Sequence, residues 1–293
     1  MRIAVLGATG YIGHNLIKKL LDESRHQIVA IAPNIDRLGI DDVRVQKING
    51  DVFDTPSLQE SLTDCDVAYY LIHMMAQHKL DFAKAEAMAA ESFAKAAQVA
   101  AVKRIIYLGG LGDDADKLSK HLASRHKTGE IMRMAHPLVL EFRASMVIGK
   151  GSISYDIIAN LVHKLPVLTL PTWSKTMTQP IGLNDALEYL TQAAEVSLTK
   201  HEIVEIGGPE VISYKELMQR YAAWKKTKAV FIDMPVIPLS IAAWWLNLFT
   251  PRRHAKVGRA MVESLANPMI VTNDRAKELF PDVQPKTLEE VFV

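Results

Sequence analysis

Cysteine is almost absent. One residue, Cys65, among 293 excludes an internal disulfide and leaves the fold to be held by its core alone. Excess charge of either sign is lacking too. The 34 Lys and Arg residues nearly cancel 33 Asp and Glu, for a net charge of +1, and no basic arm stands out, which argues against a nucleic-acid partner. No apolar run is long enough to span a bilayer. The longest candidate, Pro235 to Phe249, is short and proline-punctuated and reads as a core or interface helix. Its rival reading is a membrane-surface contact through Trp244 and Trp245, followed by Arg252 and Arg253. Metal and nucleophile signatures are also missing. No His-Glu-x-x-His occurs, neither His73 with His78 nor His121 with His126 has ligand spacing, and there is no Gly-x-Ser-x-Gly elbow. Neither a metal site nor an activated serine is expected. Met1 leads directly into an apolar strand, so no signal peptide is expected, and the location expected is the cytoplasm.

What is present begins at once. The apolar run Ile3-Ala4-Val5-Leu6 is followed by Gly7-Ala8-Thr9-Gly10-Tyr11-Ile12-Gly13 and then by a helical pattern through Leu16 and Leu20. Strand, glycine turn and helix in this order form a dinucleotide-binding opening. Glycine permits the tight turn, lets backbone N–H groups approach a pyrophosphate, and allows the helix to pack closely on the strand. The helix N-terminus then offers orphan donors and partial positive charge to phosphate.

Strand and helix signals alternate through the first 150 residues. Strands are expected at Ile3–Leu6, Gln27–Ala32, Val43–Ile48, Val67–Ile72, Arg104–Leu108 and Leu138–Phe142. Helices are expected at Tyr11–Leu21, from a Thr55 cap through Leu62, and over Asp81–Val99 and Lys117–Met134. Continuous apolar strands separated by helices imply an α/β, doubly wound parallel sheet of Rossmann type, covered on both faces. Two units are expected: a nucleotide-binding domain over 1–150 and a smaller, mostly helical C-terminal lobe over 151–293 that covers a substrate. A strand at Glu202–Ile206 is expected to return to the main sheet. In the lobe, Leu168 to Pro180 reads as irregular, a helix runs from Asn184 or Asp185 through Val196, and Ser213 with Glu216 has capping-box spacing.

Several of these segments together resemble the short-chain dehydrogenase/reductase superfamily, in its extended and atypical NAD(P)H-binding branch near the NmrA-like proteins. They are the glycine turn, Gly50-Asp51-Val52-Phe53-Asp54, Arg104-Ile105-Ile106-Tyr107-Leu108-Gly109-Gly110 and Arg143-Ala144-Ser145-Met146-Val147-Ile148-Gly149. Thr178-Gln179-Pro180-Ile181, Asp185-Ala186 and Ile206-Gly207-Gly208-Pro209 extend the likeness downstream. The resemblance implies that Gly7, Thr9, Gly10, Tyr11, Ile12 and Gly13 would cradle the pyrophosphate of NADP or NAD. Asp51 and Val52 would meet the adenine, and Leu71, Ile72 and His73 would line the ribose side. The second strand ends Ile31-Ala32-Pro33-Asn34, with no acid to clamp a 2′-hydroxyl and with Pro33 where many relatives carry arginine. Arg37 is the nearest cation, and reads equally as a 2′-phosphate ligand or as the solvated start of a short helix.

The superfamily's ordinary Ser, Tyr, Lys set does not recur. The resemblance places Gly110 at the serine, Leu122 at the tyrosine and His126 at the lysine, and no Tyr-x-x-x-Lys occurs in that helix. Acid–base candidates are therefore His126, one turn from Leu122 within the polar cluster Ser124-Arg125-His126, and His73, which directly follows a central strand. Arg143 reads either as a ligand for a substrate carbonyl or carboxylate, or as the partner of a buried acid such as Glu141 or Glu130. Tyr107 reads as core, as do the methionines. The function expected is hydride transfer to a small, partly apolar carbonyl, enone or quinone. The alternative is a non-catalytic NAD(P)-sensing regulator of NmrA-like type, and a weaker third reading is a quinone-associated or assembly factor that keeps its cofactor for structure. A second copy or another protein is left open as a partner.

Overall fold

Alternate residues of the central strands feed two separate cores. In β1 (Arg2–Leu6), Ile3 and Val5 belong to one apolar cluster and Ala4 and Leu6 to the other. In β4 (Val67–Tyr70), Val67 and Tyr69 part from Ala68 and Tyr70 in the same way. A strand buried on both faces needs helices on both, and that is the arrangement found. The computed structural model describes residues 1–74, 81–113, 117–234 and 264–292. Trp244, Trp245, Arg252, Arg253, Met75 and His78 lie outside the described residues.

With β2 (Gln27–Ala32), β3 (Val45–Asn49), β5 (Arg104–Gly110), β6 (Val139–Ala144) and β11 (Glu202–Ile206), these strands form a seven-stranded sheet in the order β11-β6-β5-β4-β1-β2-β3. Every neighbouring pair is parallel. The winding reverses between β1 and β4, which opens a crevice at their carboxyl ends. On one face lie α1 (Tyr11–Glu23) and α6 (Leu183–Gln192), whose Leu16, Leu20, Leu187 and Leu190 share a core with Phe280. On the other lie α2 (Thr55–Ser61), α3 (Phe82–Val99) and α4 (Lys120–Ala135). The alanines of α3, among them Ala89, Ala90, Ala94 and Ala97, are buried and let that helix sit close to the sheet.

Beyond Ala144 the chain builds a separate apolar cluster from α5 (Ile153–Lys164), α7 (Tyr214–Trp224) and short strand pairs, β7 (Val147–Ile148) with β10 (Ile181–Gly182) among them, with Ile158, Leu168, Leu217, Tyr221 and Phe292 buried together. Three local expectations change. Asp54, not Thr55, caps α2: its carboxylate accepts from the Ser57 N–H at 3.2 Å, which puts Thr55 inside the helix. The stretch from Leu168 to Pro180 is not irregular, because β8 (Val167–Leu170) pairs with β13 (Val230–Asp233) and β9 (Met177–Thr178) pairs with β12 (Ile212–Ser213). Ser213 caps α7 through the Glu216 N–H, but the Glu216 carboxylate turns to Arg220 at 2.7 Å instead of closing a capping box.

Candidate active site

The glycine turn is shaped by close backbone approach. Gly7 has φ +85°, and a Cβ there would stand 2.8 Å from the Leu71 carbonyl oxygen at the end of β4. A Cβ on Gly13 would collide with the Gly7 carbonyl, so α1 could not begin where it does with any other residue. The first turn of α1 has no side-chain cap and no acidic residue. Its orphan N–H groups and positive end are left for an anionic ligand. The cradle therefore suits a dinucleotide pyrophosphate on its own geometry.

One cleft of about 630 Å³ runs over the carboxyl ends of the parallel strands. Gly7, Thr9, Gly10, Tyr11 and Ile12 line it, as do Asp51 and Val52 after β3 and Leu71, Ile72 and His73 after β4. Gly13 supports the turn from behind, and Asp51 also accepts the Phe53 N–H at 3.0 Å. The Tyr11 hydroxyl donates to the Lys150 carbonyl at 3.2 Å and joins the turn to the loop that leads into α5. Burial, with the Asp156 charge, pushes that hydroxyl's pKa up to about 12, so it stays protonated. Arg37 stands exposed on a 3-10 turn and is not among the lining residues, whereas Pro33 is.

His126 and Arg143 are placed away from the cleft. The His126 ring is buried and its Nε2 bonds the Gly110 carbonyl at 2.9 Å, so it braces the end of β5. Leu122 lines the cleft although it is one turn away, because the lining face of α4 runs through His121, Leu122 and Arg125. Arg143 is buried beside Glu141, with Nε 2.8 Å from the carboxylate, and Arg133 reaches the same acid. A buried carboxylate needs such partners, so Arg143 is held as a structural counter-ion.

Around His73 the structure gathers a polar cluster. Its Nδ1 is 2.8 Å from Glu86 Oε1, and its Nε2 is 2.9 Å from His121 Nε2. Glu86 also accepts from Ser124 Oγ at 2.8 Å and from the Met74 N–H at 3.3 Å, with Arg125 at 3.5 Å. Arg125 donates to the carbonyls of Ile72 and Leu108, tying the ends of β4 and β5 to α4. Its guanidinium lies over the Tyr107 ring, 4.8 Å from the centroid. On the far side, His121 Nδ1 meets Ser264 Oγ at 2.9 Å, and Ser264 meets Ser119 Oγ at 3.0 Å.

The charges follow from these contacts. Burial would raise the Glu86 pKa, but the His73 hydrogen bond, Arg125 and Ser124 outweigh it and hold the acid ionised, at about 2. Burial and then the Arg125 cation lower the His73 pKa. Burial, His73 and Arg125 take His121 down to about 3. Both imidazoles are neutral at pH 7.

Of this cluster, only His73 is singled out by sequence as catalytic. Glu86 sits in an alanine-rich helix and passes for a surface acid. The available signal is its spacing: Phe82, Glu86, Ala89, Ala90 and Phe93 fall on one helical face, and Glu86 is buried among them. His121 and Ser264 carry no such signal. Among the described residues no group of three or more His, Cys, Asp and Glu could hold a metal ion, and no helix is long and apolar enough to cross a membrane.

Residues 7–141 match a family model described as NAD(P)H-binding. Ceramide reductase from Caulobacter vibrioides is 22% identical over 259 residues, covering 78% of this chain and 81% of that protein. A nucleoside-diphosphate-sugar epimerase from Staphylococcus aureus has the same fold, with a TM-score of 0.78 at 17% identity, covering 100% of this chain and 99% of that one. Triphenylmethane reductase from Citrobacter sp., complexed with NADP(H), gives a TM-score of 0.75 at 17% identity, with coverage of 100% and 99%.

Proposed function

We propose, from the match of residues 7–141 to an NAD(P)H-binding family model, that the protein is an NAD(P)H-dependent oxidoreductase of the atypical short-chain dehydrogenase/reductase type, acting on a small, partly apolar carbonyl, enone or quinone. The observation that carries this reading is the continuity of one cleft, from the glycine turn to the paired imidazoles of His73 and His121. A reduced nicotinamide, when bound, supplies the hydride. The chain supplies the rest. The glycine turn and the first turn of α1 hold the pyrophosphate. Asp51 and Val52 meet the adenine, and Leu71 and Ile72 flank the ribose.

Past the strand ends, Leu122, Met146, Val147, Leu265 and Met269 surround the cleft with apolar surface that excludes water from the reacting carbon. Arg125, Ser145 and Ser264 also line the cleft, but the imidazoles are the pair there that can hold or give a proton, so the substrate oxygen is placed beside them. The likeness to a protein named ceramide reductase supports a reducing role and an apolar ligand. No carboxylate ends β2, so nothing there repels a 2′-phosphate, and NADPH and NADH are both to be tried.

The test is a titration with NADPH and NADH, followed by the absorbance of the reduced nicotinamide against a panel of carbonyls, enones and quinones. Oxidation of the cofactor with at least one class is expected. Tight binding with no turnover would favour the sensing role instead, and failure to bind either nucleotide would sink both.

A further inference from the structure

The hydrogen bonds around the two histidines permit one assignment of protons. Glu86 is an ionised acceptor with no proton to give, so His73 must carry its proton on Nδ1, which faces that carboxylate at 2.8 Å. A neutral imidazole has one N–H, so His73 Nε2 is a lone pair. The 2.9 Å contact between the two Nε2 atoms then requires His121 to be the donor, with its proton on Nε2. His121 Nδ1 is left as an acceptor, so the hydroxyl of Ser264 donates to it at 2.9 Å. Ser264 Oγ in turn accepts from Ser119 Oγ at 3.0 Å. Ser119 can give its proton that way because, as the cap of α4, it already accepts from the Leu122 N–H. Each donor named in this chain meets an acceptor.

We propose that His121 is the proton donor of this site, recharged through Ser264 and Ser119, and that His73 with Glu86 orients it and acts as an acceptor only. The proposal rests on the reductase reading and adds to it which nitrogen moves a proton and in which direction. During reduction the substrate carbon takes a hydride, with its electron pair, from the reduced nicotinamide. The carbonyl oxygen takes the place of His73 Nε2 before His121. The His121 Nε2–H bond breaks as the substrate O–H forms. His121 Nδ1 takes the Ser264 proton, Ser264 takes that of Ser119, and Ser119, which is partly exposed at the start of α4, is refilled from water. This leaves His121 as the neutral Nδ1–H tautomer, and after product leaves, exchange with solvent, a proton lost from Nδ1 and one gained at Nε2, restores the Nε2–H donor. The sum is one hydride and one solvent proton added across the double bond.

Two further features fit this direction of travel. Ser264 lies 143 residues beyond His121 in the chain, so the relay is complete only when the C-terminal region is docked. That docking is built: Asn267 accepts the Ser119 N–H at 2.9 Å and donates to the Lys117 carbonyl at 3.1 Å. Phe82 stands 6.1 Å, centroid to centroid, from both imidazoles and limits where the rings can turn.

The first test needs no turnover. Full-length protein labelled with ¹⁵N-histidine is examined at pH 7 by long-range ¹H–¹⁵N spectra, with His73→Asn and His121→Asn used for assignment. His73 should appear as the Nδ1–H tautomer and His121 as the Nε2–H tautomer, and Glu86→Gln should shift His73 toward Nε2–H. An Nε2–H tautomer at His73 in the wild type, or a charged ring at either position, overturns the relay. The second test uses whichever substrate is turned over. His121→Gln, which keeps an N–H but cannot release it, should lower kcat roughly 100-fold with unchanged NADPH affinity. Ser264→Ala should lower kcat and reduce the solvent deuterium isotope effect. Full kcat in His121→Gln overturns the donor assignment even if the tautomers are as stated. Absence of any substrate counts against the reductase reading, while the spectra still decide the relay.

Discussion

A histidine is read from sequence by its neighbours in the chain, and at this site the neighbours in space decide its role. His126 sits in the more polar stretch, yet its ring is spent on the Gly110 carbonyl. His126→Ala should therefore cost about 1–3 kcal/mol in urea unfolding, because the partly buried Gly110 carbonyl loses a donor, while turnover stays within a few-fold. His121 should behave in the opposite way. Its pKa is depressed to about 3 in the fold from 6.5, so the unfolded chain takes up the proton first. Stability contributed by this neutral ring is full above pH 6.5 and is lost as pH falls from there toward 3, by about 2 kcal/mol at pH 5. Glu86 has the same sign lower down: its contribution is present above 4.5 and disappears as pH falls toward 2. Unfolding free energies at pH 7 and pH 5 should thus differ less in His121→Asn than in the wild type. An equal fall in both proteins would show that the ring is already protonated in the fold.

Elements differ in how much of their placement they carry in their own residues. The glycine turn carries nearly all of it. Gly13→Ala would drive a methyl into the Gly7 carbonyl, and α1 could relieve the clash only by moving off β1. A loss of about 1–3 kcal/mol in stability, together with loss of NADPH binding in a fluorescence titration, is the expected outcome. Nucleotide affinity equal to that of the wild type would show that α1 does not hold the pyrophosphate. β2 and β11 occupy the residues that their apolar runs and flanking turns mark, because a central or edge parallel strand is bounded by the loss of its ladder. α3 is legible as a helix but not in its function. Its alanines declare close packing, and only the sheet and α4 together turn Glu86 inward against Arg125 and Ser124. β8 and β9 are not legible at all, since each finds its partner, β13 or β12, much later in the chain.

At the scale of the whole molecule, the cleft is a product of topology: parallel strands that reverse their winding between β1 and β4 must leave a crevice at their carboxyl ends. A ligand that fills it should stabilise the entire fold. NADPH at about 100 times its Kd should add about 2.7 kcal/mol and raise Tm by several degrees in a thermal scan. A Tm unmoved by either nucleotide would contradict the cofactor assignment. The amino-acid sequence alone determined the alternation that builds the sheet and the tight turn at Gly7, Gly10 and Gly13, and it holds no Tyr-x-x-x-Lys in α4. These are local properties, written in periodicity and in glycines a few residues apart, where backbone geometry admits nothing else. Only the tertiary structure decided which polar side chains gather at the cleft. Glu86, His73, His121 and Ser264 come from four separate stretches, and each is unremarkable until packing sets one donor against the next acceptor. The proposed direction of the proton relay rests on those pairings, which a single segment of sequence does not contain.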